Sequence, residues 1–162
     1  MTIVELRTVS VDATRAVAHA IAELARAGDL VLLVGEMGSG KTAFAQGFAV
    51  GLGIHEPVTS PTFTLVRSYE GPRLLMHHLD VYRLDRMAEV DDLALGELLE
   101  DRSVTLIEWG DAVVAALPAD YLEVRLAFDD DPDHRALALR IVGRTWMARQ
   151  RALTEVLEEW RC

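Results

Sequence analysis

A chain of 162 residues with 51% hydrophobic residues has the size of one domain around a real core, so residues 1–162 are read as a single domain. Its formal net charge of -10 excludes a protein that grips nucleic-acid phosphates with its own basic surface. No run approaches the ~18 apolar residues of a membrane span and no signal-like start is present, which predicts a cytosolic protein, and the lone Cys162 excludes an internal disulfide or cysteine metal site.

In chain order, residues 6–9 read as a short strand, and Ser10 as the N-cap of an amphipathic helix over 12–27 closed by Gly28. The apolar run 30–34 reads as a strand buried on both faces. It ends at Gly35, and a helix follows over 41–52, stopped by Gly53. Residues 56–64, rich in hydroxyls and with two prolines, predict an ordered loop. Strands over 65–69 and 73–79 form a hairpin across Glu70-Gly71-Pro72. A helix over 87–100, a buried strand over 104–109 and a short helix over 111–117 come next. Strands over 121–128 and 135–142 make a second hairpin across an acidic turn, and a helix over 146–160 closes the chain. Strands alternating with helices indicate an α/β fold, and the two hairpins require a mixed, partly parallel sheet.

The chemistry centres on Gly35-Glu36-Met37-Gly38-Ser39-Gly40-Lys41-Thr42, a Walker A pattern between a buried strand and a helix, which predicts a P-loop nucleotide fold. Glycines let the loop turn its backbone N–H groups toward phosphates, and the helix N-terminus adds positive potential. Lys41 supplies a point charge for the β and γ oxygens, and Thr42 a hydroxyl for Mg²⁺. Of 16 basic residues 15 are arginine; the only lysine is Lys41, where a compact ammonium is needed and a planar guanidinium would not substitute. The chain has no asparagine, so an Asn-Lys-x-Asp guanine-reading motif is absent, which tilts the nucleotide toward ATP.

A P-loop enzyme also needs carboxylates at the ends of buried strands. Asp80 and Glu108 both stand there, and either satisfies the requirement for a metal partner. Thr62 sits in a Ser60-Pro61-Thr62 turn, where a switch residue can sense the γ-phosphate. Taken alone, that tripeptide reads as an ordinary turn. His77 and His78 alternate faces of a strand, which predicts one packed and one solvated histidine and no metal pair.

Four segments together, the P-loop, Thr59-Ser60-Pro61-Thr62-Phe63-Thr64-Leu65-Val66, His78-Leu79-Asp80-Val81-Tyr82-Arg83-Leu84 and Leu106-Ile107-Glu108-Trp109, resemble the TsaE family, also called YjeE. The resemblance spans about residues 6–139. It implies a weak ATPase required for threonylcarbamoyl modification of adenosine 37 in tRNA, with ATP and Mg²⁺ as cofactors. TsaB and TsaD are its implied partners, and tRNA is met only through them. By the same resemblance Lys41 and the loop amides of Glu36 to Gly40 act on the phosphates, Thr42 and Glu108 on Mg²⁺, and Thr62 in a switch-like loop. Asp80 is then a catalytic or metal-linked carboxylate, and Trp109 and Arg135 lie near the nucleotide. Two other classes fit a P-loop: a small-molecule kinase, and a nucleotide-dependent scaffold without meaningful turnover.

Overall fold

The computed structural model describes residues 2–59, 66–80, 102–108 and 117–162. Thr62, Trp109 and the helices expected over 87–100 and from 111 lie outside the described residues.

In chain order the strands are β1 (Thr2–Thr8), β2 (Leu30–Val34), β3 (Val66–Glu70), β4 (Leu75–Asp80), β5 (Ser103–Glu108), β6 (Tyr121–Phe128) and β7 (Arg135–Val142). They form one sheet of order β1-β7-β6-β2-β5-β4-β3. The inner strands β6, β2, β5 and β4 are parallel, whereas β3, β7 and β1 join antiparallel. The sheet is mixed, as the hairpins require. Every residue of β2 and β5 is buried, which explains the unbroken apolar sequence of β2.

Helix α1 (Val11–Ala22) begins where Ser10 predicts: the serine side chain accepts a hydrogen bond from Ala13 N at 3.0 Å. It stops short of residue 27 because side chains take over its last hydrogen bonds. The Arg73 guanidinium donates to the carbonyls of Ala22 and Ala25, and Arg26 N donates to Asp29 Oδ2 at 2.7 Å. Helix α2 (Lys41–Gly51) packs beside α1. Their backbones meet at Gly47, where a Cβ would lie 2.2 Å from Arg15 O. Val17, Ile21, Phe44 and Phe48 of the two helices cover Val31, Leu33, Met76, Leu106 and Val124 of the sheet. That core holds the end of β2 and the start of α2 in fixed relation.

The expected single helix over 146–160 is instead three pieces: a 3₁₀ turn (Met147–Arg149), α3 (Gln150–Val156) and a 3₁₀ turn (Glu158–Trp160). Arg149 breaks it by turning inward. Its Nη1 and Nη2 donate to Asp29 Oδ2 and Oδ1 at 2.6 and 2.7 Å, and its guanidinium lies 4.0 Å from the Trp146 ring centroid. Beyond the last turn, Cys162 N donates to Glu5 O at 3.1 Å and Arg161 bridges to Leu6, so the chain end covers part of the β1 edge. Among the described residues no helix is long and apolar enough to cross a membrane.

Candidate functional site

The loop between β2 and α2 is shaped by what its glycines leave out. A Cβ on Gly35 would stand 2.4 Å from Ser39 Oγ and 2.5 Å from Leu126 O, so no other residue fits there without displacing backbone of β6. Gly40 has φ +112 and Gly38 φ +83, left-handed values that side chains resist. Glu36, Met37 and Gly38 are exposed, whereas Ser39 is buried and its Oγ has no partner among the described residues. The result is a concave backbone turn closed by a helix N-terminus, the form that takes an anion.

Lys41 opens α2 with its side chain buried beneath this turn. Its Nζ donates to the carbonyls of Gly35 at 2.6 Å and Glu36 at 3.0 Å. Burial lowers the Lys41 pKa below the ordinary lysine value, while the negative fields of Glu108 and then Asp80 oppose that shift. The ammonium thus lies between two backbone carbonyls and the negative fields of two carboxylates.

The two carboxylates are brought together by strand register. Asp80 pairs directly with Glu108 across β4 and β5, and Glu108 pairs with Leu33 at the end of β2. Equal register on parallel strands puts both acids on one face, below the loop. Glu108 is 3% exposed, and its Oε1 lies 3.5 Å from Thr42 Oγ1, at the outer limit of a hydrogen bond. Asp80 is half-buried at the end of β4. Among the described residues no three His, Cys, Asp or Glu side chains converge as a metal-holding group. Mg²⁺ is commonly held by one or two protein ligands together with substrate phosphates, and the Thr42 and Glu108 pair fits that mode.

The histidines correct one expectation. Both are buried, at 5% for His77 and 0% for His78, so both faces of β4 are covered at these positions. They do alternate faces. His77 Nδ1 lies 2.8 Å from Ser68 Oγ, and His78 Nε2 lies 2.6 Å from Glu108 Oε2. The contact with Glu108 was not foreseen. Its signal was present in the two-residue spacing from Asp80, which places His78 on the same face of the strand.

Arg135 approaches the loop from β7. Its Nε donates to Ser39 O at 3.0 Å and its Nη2 to Gly38 O at 3.3 Å, while the guanidinium lies 4.5 Å from the Phe128 ring centroid. It therefore braces the outer carbonyls of the loop, opposite the side on which Lys41 holds the inner ones. Phe128, half-exposed beside Gly38, was also missed. Near the expected switch, Arg67 Nη1 donates to Thr59 Oγ1 at 2.7 Å, and Gln46 Nε2 donates to Val58 O at 3.1 Å. Both contacts anchor the approach to residues 60–65.

The chain is similar to known proteins over most of its length. The family described as "Threonylcarbamoyl adenosine biosynthesis protein TsaE" matches residues 8–137. The chain is 39% identical over 140 residues to the tRNA threonylcarbamoyladenosine biosynthesis protein TsaE of Bacillus subtilis (strain 168), covering 86% of this chain and 87% of that protein. To the protein of the same name from Streptomyces coelicolor it is 41% identical over 140 residues, covering 82% and 93%. The crystal structure of YdiB from Bacillus subtilis superposes with a TM-score of 0.80 at 34% identity, covering 98% of this chain and 95% of that one.

Proposed function

Because the chain belongs to the TsaE family and has its P-loop fold, we propose that it serves tRNA threonylcarbamoyladenosine biosynthesis as a Mg²⁺-dependent ATPase coupled to TsaB and TsaD. The observation that carries this reading is the convergence of Lys41, Thr42 and Glu108 beneath one glycine-shaped turn.

In this reading Lys41 releases the carbonyls of Gly35 and Glu36 and takes β and γ oxygens in their place. The backbone amides of the loop from Glu36 to Gly40 surround the phosphates, with Arg135 holding the loop in shape from outside. Thr42 and Glu108 would hold Mg²⁺, which supplies charge neutralisation at the phosphate oxygens. Asp80, opposite Glu108, is the carboxylate placed to orient water at the γ-phosphate. Thr62 lies in the segment that would report the triphosphate to partners, and Trp109, next to Glu108, would line the nucleotide. The missing asparagine supports ATP over GTP. A net charge of -10 supports a protein that leaves tRNA contact to TsaB and TsaD, in a cytosolic setting.

Retention of purified TsaB and TsaD by the immobilised protein tests this reading. Capture that differs between ATP and ADP, and that disappears with Lys41→Ala, is expected. Equal capture with either nucleotide, or none, would refute the partner-coupled reading.

A further inference from the structure

The hydrogen bond between His78 and Glu108 lies wholly inside the protein, with side chains 0% and 4% exposed. From it we infer that His78 is the positioning residue for Glu108: its Nε2–H holds Oε2, which leaves Oε1 turned to Thr42 and to the metal side of the site. The inference rests on the Mg²⁺–ATP reading above and assigns the device that keeps that carboxylate in place.

Register makes the contact possible. His78 pairs with Leu106, two residues before Glu108, so it lies diagonally from Glu108 on the same face. A diagonal neighbour is too far for a short side chain and within reach of an imidazole. An ionised carboxylate only accepts, so Nε2 donates in this contact and Nδ1 is the ring's other nitrogen. That Nδ1 is buried and has no partner among the described residues. Leaving a buried nitrogen unpaired is unfavourable, and an apolar side chain would fill the same space without it. Packing alone therefore does not account for a histidine here. The terminal torsion of a glutamate is broad, so without this donor the carboxylate would be free to turn away from Thr42. With an ionised acceptor the contact, at 2.6 Å, is a charge-assisted hydrogen bond.

The test uses the intact chain and two variants. His78→Leu removes the donor and keeps much of the volume, and His78→Gln keeps an N–H of similar reach. Affinity for the β,γ-imido analogue of ATP is measured by calorimetry with Mg²⁺ and with EDTA. His78→Leu should reduce the gain in affinity produced by Mg²⁺ by about 10- to 100-fold, the usual cost of removing a group that orients a metal ligand. Its affinity in EDTA should stay that of the parent, and His78→Gln should recover most of the gain. Equal losses with and without Mg²⁺, or a folded His78→Gln that recovers nothing, would overturn the assignment. Should His78→Leu fail to fold, His78→Met, which also lacks the donor, carries the test alone and combined with Glu108→Gln. The effect of the histidine change should vanish when Glu108 is already altered, and full additivity would overturn the idea. A parent protein indifferent to Mg²⁺ would sink the Mg²⁺–ATP reading itself, whereas a Mg²⁺ dependence that survives His78→Leu sinks only the role of His78.

Discussion

Replacing Arg149 by methionine should be among the most damaging single changes to stability while leaving the nucleotide site intact. Arg149 and Asp29 are 4% and 3% exposed and joined by two hydrogen bonds, with Arg149 also donating to Leu24 O at 2.8 Å. Arg149→Met fills the space beside Trp146 but strands the Asp29 carboxylate in the interior. Removing one partner of a buried pair costs about 3–5 kcal/mol. Against a domain stability of about 5–15 kcal/mol, that is from about a fifth of the total to all of it. In urea, with a slope of about 1–3 kcal/mol/M, the midpoint should fall by roughly 1–5 M with the slope unchanged. Adding Asp29→Asn removes the stranded charge and keeps an acceptor for Arg26 N, so the double variant should be more stable than Arg149→Met alone. Asp29 precedes β2 at the end opposite the phosphate loop, so nucleotide affinity of the folded protein should not change. A midpoint shift worth less than about 1 kcal/mol, or a double variant weaker than the single, would refute this reasoning.

Gly47→Ala should destabilise despite the better helix propensity of alanine, by about 1–3 kcal/mol in thermal melts, because its Cβ meets Arg15 O and Arg15 Cα at 2.2 and 2.6 Å. A raised melting temperature would contradict the close approach of α1 and α2. The lowered pKa of Lys41 gives two opposite pH trends below 10.5. There the unfolded chain still binds a proton that the folded chain has released, so the unliganded protein gains stability as pH rises toward 10.5. Nucleotide affinity falls over the same range, because phosphates require the charged ammonium; affinity that stays flat to pH 10.5 would contradict it. Arg135→Gln should weaken nucleotide binding by about 1.4 kcal/mol, or tenfold, by releasing the carbonyls of Gly38 and Ser39, with little change in melting temperature. Unchanged affinity would show that the loop holds its shape without the brace.

The phosphate loop and its two flanking elements were legible because local rules act together there. The buried run 30–34, the glycines and the start of α2 all lie within a few residues of one another, and both hairpins announced themselves by turn chemistry. Asp80 and Glu108 were legible as strand ends, but their pairing was not, since register between β4 and β5 depends on how separate segments align. The buried state of both histidines was missed because alternation separates faces without saying whether a face is covered. The broken C-terminal helix was missed for a similar reason. The periodic pattern over 146–160 contained no breaker, and the partner that turns Arg149 inward, Asp29, lies far away in sequence. Likewise α1 ends early because Arg73, on a remote turn, takes its carbonyls. The misread elements are those decided by charged side chains reaching distant backbone.

The most direct measurement of the central claim is phosphate release from ATP by the purified protein with Mg²⁺, alone and with TsaB and TsaD. Slow release that rises when the partners are added, and that Lys41→Ala abolishes in both conditions, is the predicted result. Release that is unaffected by the partners and by loss of Lys41 would contradict it.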